Sequence, residues 1–379
     1  MKEQITWLEV SRSAIIHNIH QFKKNFRPET EFLAVVKGNG YGHGLIETAK
    51  TTVRGGANWL GTVNLQEALE LRKAGIKSKI LVLSYFNPAE LKDAIINNIA
   101  LTIYYLPAAT KISELAKKIN KKAQIHIKID TGTNRLGFDY RNCLSTIIKI
   151  NQLPNIVIQG IFTHFADAEK TDQSFTNLQI ERFGNLYNQL KKNHIHIKYQ
   201  HAACSAAAIL NKNSHYNLIR IGISLYGLWS LDEKTTKSIS LKKSYQLKPA
   251  LSWYTRVIQV KKVPAGDTIG YGKTFTTKKN STIAVIPVGY NEGYDRRLSN
   301  QGRVAIHGRY CQIRGRVCAN LTMVDVTDVK KVRPGDKVTL IGRDGQAEIT
   351  AEELAEKMRT INYEVVTRIN PNLPRVFIN

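Results

Sequence analysis

Side chains able to do chemistry recur near the ends of apolar segments in the first 225 residues of the chain. Lys37 ends the first of these segments, His164 lies near the end of the sixth, and Ser205 ends the seventh. A lysine can act as a nucleophile or a base, and a histidine can carry a proton at neutral pH. Arg220 and Gly222 lie in the eighth segment, where a fixed cation stands beside a small residue. This spacing indicates one site built from several segments.

The segments are short, apolar and strand-like, and intervals long enough for a helix separate them. Eight strands that alternate with helices over about 200 residues are typical of a (β/α)8 barrel. A doubly wound open sheet is the alternative, but no G-x-G-x-x-G sequence follows the first strand. We therefore predict an α/β fold with an N-terminal (β/α)8 barrel, its strands at Glu31–Lys37, Ala57–Val63, Lys79–Ser84, Leu101–Leu106, Gln124–Asp130, Ile156–Phe165, Ile197–Ser205 and Asn217–Leu225.

In such a barrel, function collects at the C-terminal ends of the strands, and phosphate often binds at the loops after strands seven and eight. Ser205 and Gly222-Ile223 are therefore the predicted phosphate holders, and Lys37 on strand one would face them. This arrangement indicates pyridoxal 5′-phosphate bound covalently to Lys37. Taken singly, Lys37 could be a solvated lysine and His164 a core histidine, so the prediction depends on their agreement with the phosphate geometry.

The pattern changes after about residue 235, where strand-like segments follow one another without long helical intervals. We predict a barrel domain over residues 1–235 and a mainly β domain over residues 236–379, with one late helix near Ala351–Thr360. The predicted strands of this second domain are Leu251–Val260, Thr282–Val288, Gln312–Val317, Met323–Val326 and Lys337–Ile341.

Composition excludes several classes of protein. The formal charge of +25 over 379 residues invites a nucleic-acid interpretation, but the lysines are dispersed as pairs and no basic run is interleaved with aromatic residues. No apolar run is long enough for a membrane span, and residues 1–10 lack the apolar core of a signal peptide. Four scattered cysteines fit a reducing cytoplasm better than a disulfide scaffold or a metal site. We expect a cytoplasmic protein without nucleic-acid, membrane or metal partners.

Several sequence blocks resemble, in order, those of the bacterial alanine racemase family. Ala34–Gly44, which contains Lys37, is similar to the cofactor-attachment signature of that family. The resemblance extends over nearly the whole chain, and it implies a barrel followed by a β domain, the organisation that the periodicity also predicts. The further blocks are Lys128–Gly137, Thr163–Ala166, Arg220–Ile223, Gly270–Gly272, Pro287–Tyr290 and Ile361–Val365.

The resemblance implies a racemase that interconverts L- and D-alanine with pyridoxal phosphate and two bases, and that supplies D-alanine for peptidoglycan. Lys37 would be the Schiff-base lysine and the base for the D-enantiomer, whereas Tyr271 would be the base for the L-enantiomer. His164 and Arg220 would support Tyr271, and Arg220 would also bond the pyridine nitrogen. Tyr271 lies in the second domain and the family builds each site from two subunits, so the resemblance implies a homodimer with shared active sites.

The resemblance also implies roles for residues around this centre. Lys128 resembles a lysine that is carbamylated in many members of the family, and an ordinary salt-bridged or solvated lysine is the alternative. The implied cofactor-binding residues are Lys37, Tyr41, Ser205, Arg220, Gly222, Ile223 and Tyr363, and the implied substrate-binding residues are Arg135, Ala319 and Tyr290.

Three positions depart from the pattern of the family. The usual Lys-Ala-Asn-Ala sequence is Lys37-Gly-Asn-Gly40, which we expect to loosen the backbone beside the cofactor. Cys204 replaces an asparagine before the phosphate serine. The usual Cys-Met-Asp is Cys318-Ala-Asn320, which suggests a larger and less acidic pocket that also accepts serine or other amino acids.

Two other functions stay open on sequence alone. Decarboxylases of basic amino acids combine a barrel, a β domain and pyridoxal phosphate, but they lack a Gly-Tyr-Gly tyrosine and pair the pyridine nitrogen with a carboxylate, which Arg220 opposes. A non-enzymatic pyridoxal-phosphate carrier would need only the barrel, so Tyr271 and Tyr290 would have no purpose.

Overall fold

The structure, a computed structural model, describes residues 4–241 and 244–379. The chain forms two compact units. The barrel unit comprises the described residues of 14–40 and 45–248, and the C-terminal unit comprises the described residues up to Ser13, residues 41–44 and residues 249–379. The barrel unit therefore extends past the predicted domain boundary at residue 235, which remains a prediction.

A strand and a helix begin the described chain, β1 (Thr6–Ser11) and α1 (Arg12–Lys23). The strands that follow, up to residue 248, are β2 (Glu31–Val35), β3 (Trp59–Thr62), β4 (Lys79–Val82), β5 (Ile99–Ile103), β6 (Ala123–Asp130), β7 (Phe138–Asp139), β8 (Ile156–Phe162), β9 (Tyr199–His201) and β10 (Leu218–Ile221). The helices between and after them are α2 (Leu45–Arg54), α3 (Leu65–Lys73), α4 (Leu91–Ile96), α5 (Leu106–Lys118), α6 (Leu144–Asn151), α7 (Ser174–Lys192), α8 (Ser205–Leu210) and α9 (Glu233–Leu241).

Eight parallel strands form the barrel, in the order β10-β2-β3-β4-β5-β6-β8-β9. The Arg220 N–H donates to the Ala203 carbonyl at 3.2 Å, which brings the two ends of this row together. Every residue of β3, β5 and β10 is buried, as expected for strands that pack on the barrel interior on one face and on helices on the other. Each of the eight predicted segments overlaps one of these strands, so the predicted (β/α)8 barrel is confirmed.

The C-terminal unit is mainly β, as predicted. Six strands lie in the order β15-β14-β17-β11-β1-β19 with β18 paired to β17, and a smaller sheet has the order β12-β13-β16. The elements are β11 (Leu251–Arg256), β12 (Gln259–Val263), β13 (Ser281–Ile286), β14 (Arg303–Ile306), β15 (Arg309–Gln312), β16 (Thr322–Asp325), β17 (Lys337–Asp344), β18 (Ala347–Ile349), β19 (Arg375–Ile378), α10 (Ala351–Met358) and α11 (Asn362–Thr367).

The first strand differs from the sequence interpretation, which placed all of residues 1–235 in the barrel domain. β1 instead lies inside the sheet of the C-terminal unit, antiparallel to β11 and parallel to β19. Leu8 and Val10 are fully buried in this position. The segment lies more than 200 residues from its partners in the sequence, so local periodicity could reveal a strand there but not its sheet.

Two of the strands predicted for the second domain also differ from the structure. The predicted strand Leu251–Val260 is two strands, β11 and β12, which belong to different sheets. The predicted strand Gln312–Val317 lies almost entirely after β15, and β14, β18 and β19 were not predicted. Within the described part of the chain, no helix combines the length and the apolar character that a membrane crossing requires.

Candidate active site

Lys37 follows the first barrel strand, β2, and the backbone after it turns with left-handed geometry. Gly38, Asn39 and Gly40 have φ values of 64°, 54° and 61°, and Tyr41 continues at 49°. Glycine adopts this conformation without steric penalty, and asparagine tolerates it better than most residues do. The glycines were expected to loosen the backbone, but they stand where a defined left-handed turn requires them.

The protein surroundings of Lys37 favour the neutral form of its amine more strongly than bulk water would. Burial lowers the pKa of Lys37, and the positive charge of Arg135 lowers it further. The carboxylate of Glu67 opposes both effects. A lysine with a lowered pKa holds a larger fraction of the nucleophilic, proton-accepting form at neutral pH.

Arg220 on β10 is buried at the centre of a chain of histidines. Its Nη1 donates to Nδ1 of His201 at 2.8 Å, and Nε2 of His201 lies 2.9 Å from Nδ1 of His126. A guanidinium can only donate, so His201 accepts at Nδ1 and carries its proton at Nε2. Burial lowers the pKa of Arg220 to about 10 and that of His126 to about 3, so the arginine stays charged and the histidine neutral at pH 7.

His164, which the sequence analysis names as a site residue, lies beside this network. The Nη2 of Arg220 donates to the carbonyls of Thr163 (2.8 Å) and Ala202 (2.9 Å) and lies 3.4 Å from Nδ1 of His164. Burial, and then the charge of Arg220, hold the pKa of His164 well below its usual value. His164 is therefore a neutral imidazole in contact with the cation.

Lys128 on β6 is a second buried cation next to Arg220. Its Nζ lies 5.6 Å from the ring centre of Phe162, and the Arg220 guanidinium lies 5.2 Å from the same ring. Burial, then Arg135 and Arg220, lower the pKa of Lys128 to about 8. A substantial neutral fraction near pH 8 is compatible with carbamylation, which stays a prediction. The burial of Lys128 argues against a solvated side chain.

The loop that carries Arg135 is organised by a carboxylate. Asp130 Oδ1 accepts hydrogen bonds from the N–H groups of Gly132, Thr133 and Asn134, and Oδ2 accepts from the N–H of Arg135 at 3.0 Å. Burial alone would raise the pKa of Asp130, but the four backbone donors outweigh it and lower the pKa. An ionised Asp130 thus fixes the backbone beneath Arg135.

The predicted phosphate holders of the barrel unit lie together after β9 and β10. The Gly222 N–H donates to Oγ of Ser205 at 3.0 Å, and the Ser224 N–H lies 3.5 Å from the same oxygen. The Oγ of Ser224 is buried and has no hydrogen-bond partner among the described residues. A buried hydroxyl without a partner next to Ser205, Gly222 and Ile223 fits a group rich in acceptor oxygens. Next to them, burial raises the pKa of the Cys204 thiol.

The remaining predicted cofactor residues belong to the C-terminal unit. The rings of Tyr41 and Tyr363 meet edge to face with centres 6.1 Å apart. Edge-to-face packing of two aromatic rings is favourable in itself, so packing within the core also accounts for this contact. Their proposed contact with phosphate stays a prediction.

Tyr271, Tyr290 and Ala319 come together on one surface of the C-terminal unit, which we term the Tyr271 surface. Tyr271 is 75% exposed on a short 3₁₀ turn, and a Cβ on Gly272 would lie 2.8 Å from the Arg316 guanidinium carbon. Tyr290 is 52% exposed, and its N–H donates to the Cys318 carbonyl at 3.1 Å. Three loops therefore meet around residues 316–320.

The departure at Asn320 is compensated nearby. Its Nδ2 donates to Oε1 of Glu292 at 2.8 Å, and Oε2 of Glu292 accepts from the Gly289 N–H at the same distance. An aspartate at position 320 would place a second negative charge next to the Glu292 carboxylate, and the two would repel each other. The charge that Asn320 lacks is thus present one side chain away, so the expected loss of acidity does not follow.

Several residues of this site were not named from the sequence: His201, Glu67, His126, Ser224 and Glu292. Asp130 was noted at the end of the fifth predicted strand, without a role. His201 lies at the C-terminal end of the seventh barrel strand, so the rule that selected His164 could have found it. Glu67 lies in the first turn of α3, and no motif marked it.

Comparisons with known proteins cover the whole chain. A family model described as Alanine racemase, N-terminal domain, matches residues 10–230, and one described as Alanine racemase, C-terminal domain, matches residues 250–377. An alanine racemase of Methanococcus maripaludis is 42% identical over 374 residues, covering 98% of each chain. One of Carboxydothermus hydrogenoformans is 41% identical, covering 98% of this chain and 99% of its own.

A solved structure agrees with the sequence relatives. The crystal structure of alanine racemase from Bacillus anthracis with bound L-Ala-P is 36% identical, with a TM-score of 0.93 over 100% of this chain and 96% of its own. Matches to both family models and to full-length relatives at this identity lead to one conclusion: the chain belongs to the alanine racemase family.

Proposed function

We propose that this chain is a pyridoxal-phosphate-dependent racemase that interconverts L- and D-alanine. The observation that carries the proposal is the environment of Arg220, a buried cation whose hydrogen-bond partners among the described residues are carbonyl oxygens and histidine nitrogens. A decarboxylase of the related class would need a carboxylate there. The names of the full-length relatives support the same activity.

The residues present fit the cofactor. Lys37 would hold it covalently, and Ser205, Gly222 and Ile223 would hold its phosphate together with the unpartnered hydroxyl of Ser224. Tyr41 and Tyr363 are the proposed phosphate ligands of the C-terminal unit. When bound, pyridoxal phosphate stabilises negative charge at the Cα atom of an amino acid.

Arg220 would set the protonation state at the ring nitrogen. Its Nε takes part in none of the four hydrogen bonds of the guanidinium within the described chain, and a guanidinium donates but cannot accept. A ring nitrogen that accepted a hydrogen bond from Arg220 would carry no proton, so the bound cofactor would withdraw less negative charge from Cα. Arg220 would in this way favour proton return to Cα over competing reactions.

Two bases on opposite faces of Cα are part of the proposal. The lowered pKa of Lys37 suits it to exchange a proton near neutral pH. Tyr271, the second proposed base, stands exposed on the Tyr271 surface. His164 and Arg220 would supply the neutral donor and the cation that a tyrosine needs in order to ionise more easily. Arg135, Tyr290 and the Ala319 backbone are the proposed contacts of the substrate carboxylate.

The exposure of the residues around Tyr271 supports the further proposal of a homodimer with shared active sites. Tyr271, Tyr290 and Leu321, the last 41% exposed, are large apolar side chains exposed on loops of the C-terminal unit. Several exposed large apolar side chains favour a protein partner. A second copy that presents its barrel to the Tyr271 surface would bring Tyr271 to a Lys37.

The cellular role that we propose is supply of D-alanine for peptidoglycan in the cytoplasm. All four cysteines are free, which suits a reducing compartment. The Glu292 carboxylate beside Asn320 argues against the broader specificity suggested by the sequence.

Incubation of the cofactor-loaded protein with L-alanine tests the proposed activity. We expect D-alanine by chiral chromatography, no release of CO2, and a strong preference for alanine over serine and lysine. Release of CO2 would instead identify a decarboxylase, and bound cofactor without either product would identify a carrier.

A further inference from the structure

The carboxylate of Glu67 contacts the backbone immediately after Lys37. Its Oε1 accepts hydrogen bonds from the N–H groups of Gly38 at 2.7 Å and Asn39 at 3.1 Å. Its Oε2 accepts from the N–H of Val63 at 3.0 Å. One side chain therefore joins the loop after β2, which carries Lys37, to the loop after β3.

The position of Glu67 is itself fixed. It lies in the first turn of α3, where the Asn64 side chain caps the helix and accepts from the Glu67 N–H at 2.9 Å. All three backbone groups that face the carboxylate are donors, so only an ionised carboxylate satisfies them together. An amide at position 67 would bring its own donor against at least one of them.

The turn that Glu67 holds is left-handed and is fixed at its other end too. The Gly40 N–H donates to the Val36 carbonyl at 2.8 Å, and the Asn39 side chain accepts from the Leu45 N–H at 2.9 Å. Successive N–H groups in such a turn converge on one point and bind an anion. At Gly38 and Asn39 that anion is Glu67.

Glu67 also differs in charge from the other ionisable groups around Lys37. Arg135 lowers the pKa of Lys37, and the Glu67 carboxylate raises it. Burial lowers the pKa of Lys128 most, the charges of Arg135, Arg220 and Lys37 lower it further, and Asp130 opposes them. The cations of this region therefore repel one another. A carboxylate beside Lys37 partly balances this excess of positive charge.

We propose that Glu67 is a positioning residue of the active site. It clamps the left-handed turn that follows Lys37 and thereby fixes the place of the Lys37 amine. It also supplies a negative charge close to that amine. The inference rests on the proposed function in that Lys37 must carry the cofactor. Glu67 acts through Lys37 and the turn, so it takes no part in the proton transfers themselves.

Three variants of the cofactor-loaded protein test the proposal. Glu67→Gln removes the charge, Glu67→Asp keeps the charge but shortens the side chain, and Glu70→Gln is the control, because Glu70 is an exposed residue of the same helix. The measurements are the pH titration of the visible absorbance of the bound cofactor without substrate, the rate of cofactor release, and kcat and KM for alanine.

For Glu67→Gln we expect the titration midpoint to fall by about one pH unit, since a neighbouring anion stabilises the protonated form by at least that much. We also expect faster cofactor release and a kcat lower by about tenfold, because the reacting group is less well placed. Glu67→Asp should keep the wild-type midpoint but release the cofactor faster, and Glu70→Gln should match the wild type in every measurement.

The proposal would be overturned if Glu67→Gln and the control Glu70→Gln had the same titration midpoint and the same rate of cofactor release. If Glu67→Gln does not fold, the test depends on Glu67→Asp. A rate of cofactor release equal to that of the wild type in this variant would refute the proposal that Glu67 clamps the turn. Titration and release require the cofactor on Lys37 but not racemisation. A wild type that binds the cofactor there and leaves L-alanine unchanged therefore refutes the proposed function alone, and one that takes up no cofactor on Lys37 refutes both proposals.

Discussion

Two buried cations, Lys128 and Arg220, share the ring of Phe162 in the barrel interior. Burial lowers the pKa of both side chains, but it leaves them with different charges near pH 8. Arg220 keeps its charge at neutral pH with a pKa of about 10, and carbonyl oxygens and neutral histidines take up its donors. Lys128 reaches a pKa of about 8 and is partly neutral near that pH. The same environment therefore yields one permanent cation and one reactive amine.

We predict from this pKa that Lys128 forms a carbamate with dissolved CO2. The neutral amine adds to CO2, a new N–C bond forms and one proton is released, so the extent of reaction rises as the pH passes upward through about 8. With ¹³C-labelled bicarbonate, NMR should show one carbamate signal in the wild type and none in Lys128→Arg. Lys122→Arg, at an exposed lysine, is the matched control and should keep the signal. A wild-type spectrum without the signal at pH 8.5 would contradict this.

At the scale of elements, the left-handed turn after β2 decides where Lys37 stands. The sequence marked Gly38 and Gly40 as departures, but only the structure shows that both have positive φ. They differ in their surroundings: a Cβ on Gly38 would meet no atom within 4 Å, whereas a Cβ on Gly40 would lie 3.1 Å from Oγ1 of Thr48.

We expect Gly38→Ala to lower the free energy of unfolding by about 1 kcal/mol, the steric penalty of an alanine in this conformation. Gly40→Ala should lower it further, because Thr48 must also move. The control is Gly184→Ala, a change within α7 at a glycine with open space around it, which should raise stability by about 0.5 kcal/mol. Urea unfolding of the three variants measures the predicted order of their unfolding free energies. Equal unfolding midpoints for Gly40→Ala and Gly184→Ala would refute that order.

Local patterns predicted the barrel strands well because, from β2 to β9, each strand pairs with the next along the chain, apart from the two-residue strand β7. In the C-terminal unit only some consecutive strands pair, namely β12 with β13, β14 with β15 and β17 with β18. β1 pairs with β11 and β19, and β17 lies between β14 and β11, so its sheet depends on pairings between distant segments. Glu67 was missed for the same reason, because its role arises from contacts with segments distant in the sequence.

At the scale of the whole molecule, the proposed site residues come from both units of the chain. Lys37, His164 and Arg220 belong to the barrel unit, and Tyr271 and Tyr290 belong to the C-terminal unit. The proposal that each site combines residues of two copies can be tested without a structure of the dimer, because two different defects complement each other only if the site is shared.

Mixing Lys37→Ala with Tyr271→Phe provides that test. Each variant alone should be inactive or nearly so. After random exchange of subunits, half of the dimers are mixed and each mixed dimer contains one site with both native residues, so activity should return to about one quarter of the wild-type value. Mixtures of Lys37→Ala with Arg220→Ala, whose changes both lie in the barrel unit, serve as the control and should stay inactive. No recovery in the first mixture would refute the shared site.

Isotope exchange at the Cα atom of alanine tests the proposed roles of Lys37 and Tyr271 in one experiment. In D2O the cofactor-loaded wild type should convert L-alanine to D-alanine that carries deuterium at Cα, as followed by NMR and chiral chromatography. Lys37→Ala should show neither exchange nor inversion, and Tyr271→Phe should lose exchange at L-alanine. Inversion or exchange that persists in Lys37→Ala, or L-alanine that keeps its Cα proton in the wild type, would contradict the assignment of Lys37 as the residue that carries the cofactor and moves the proton.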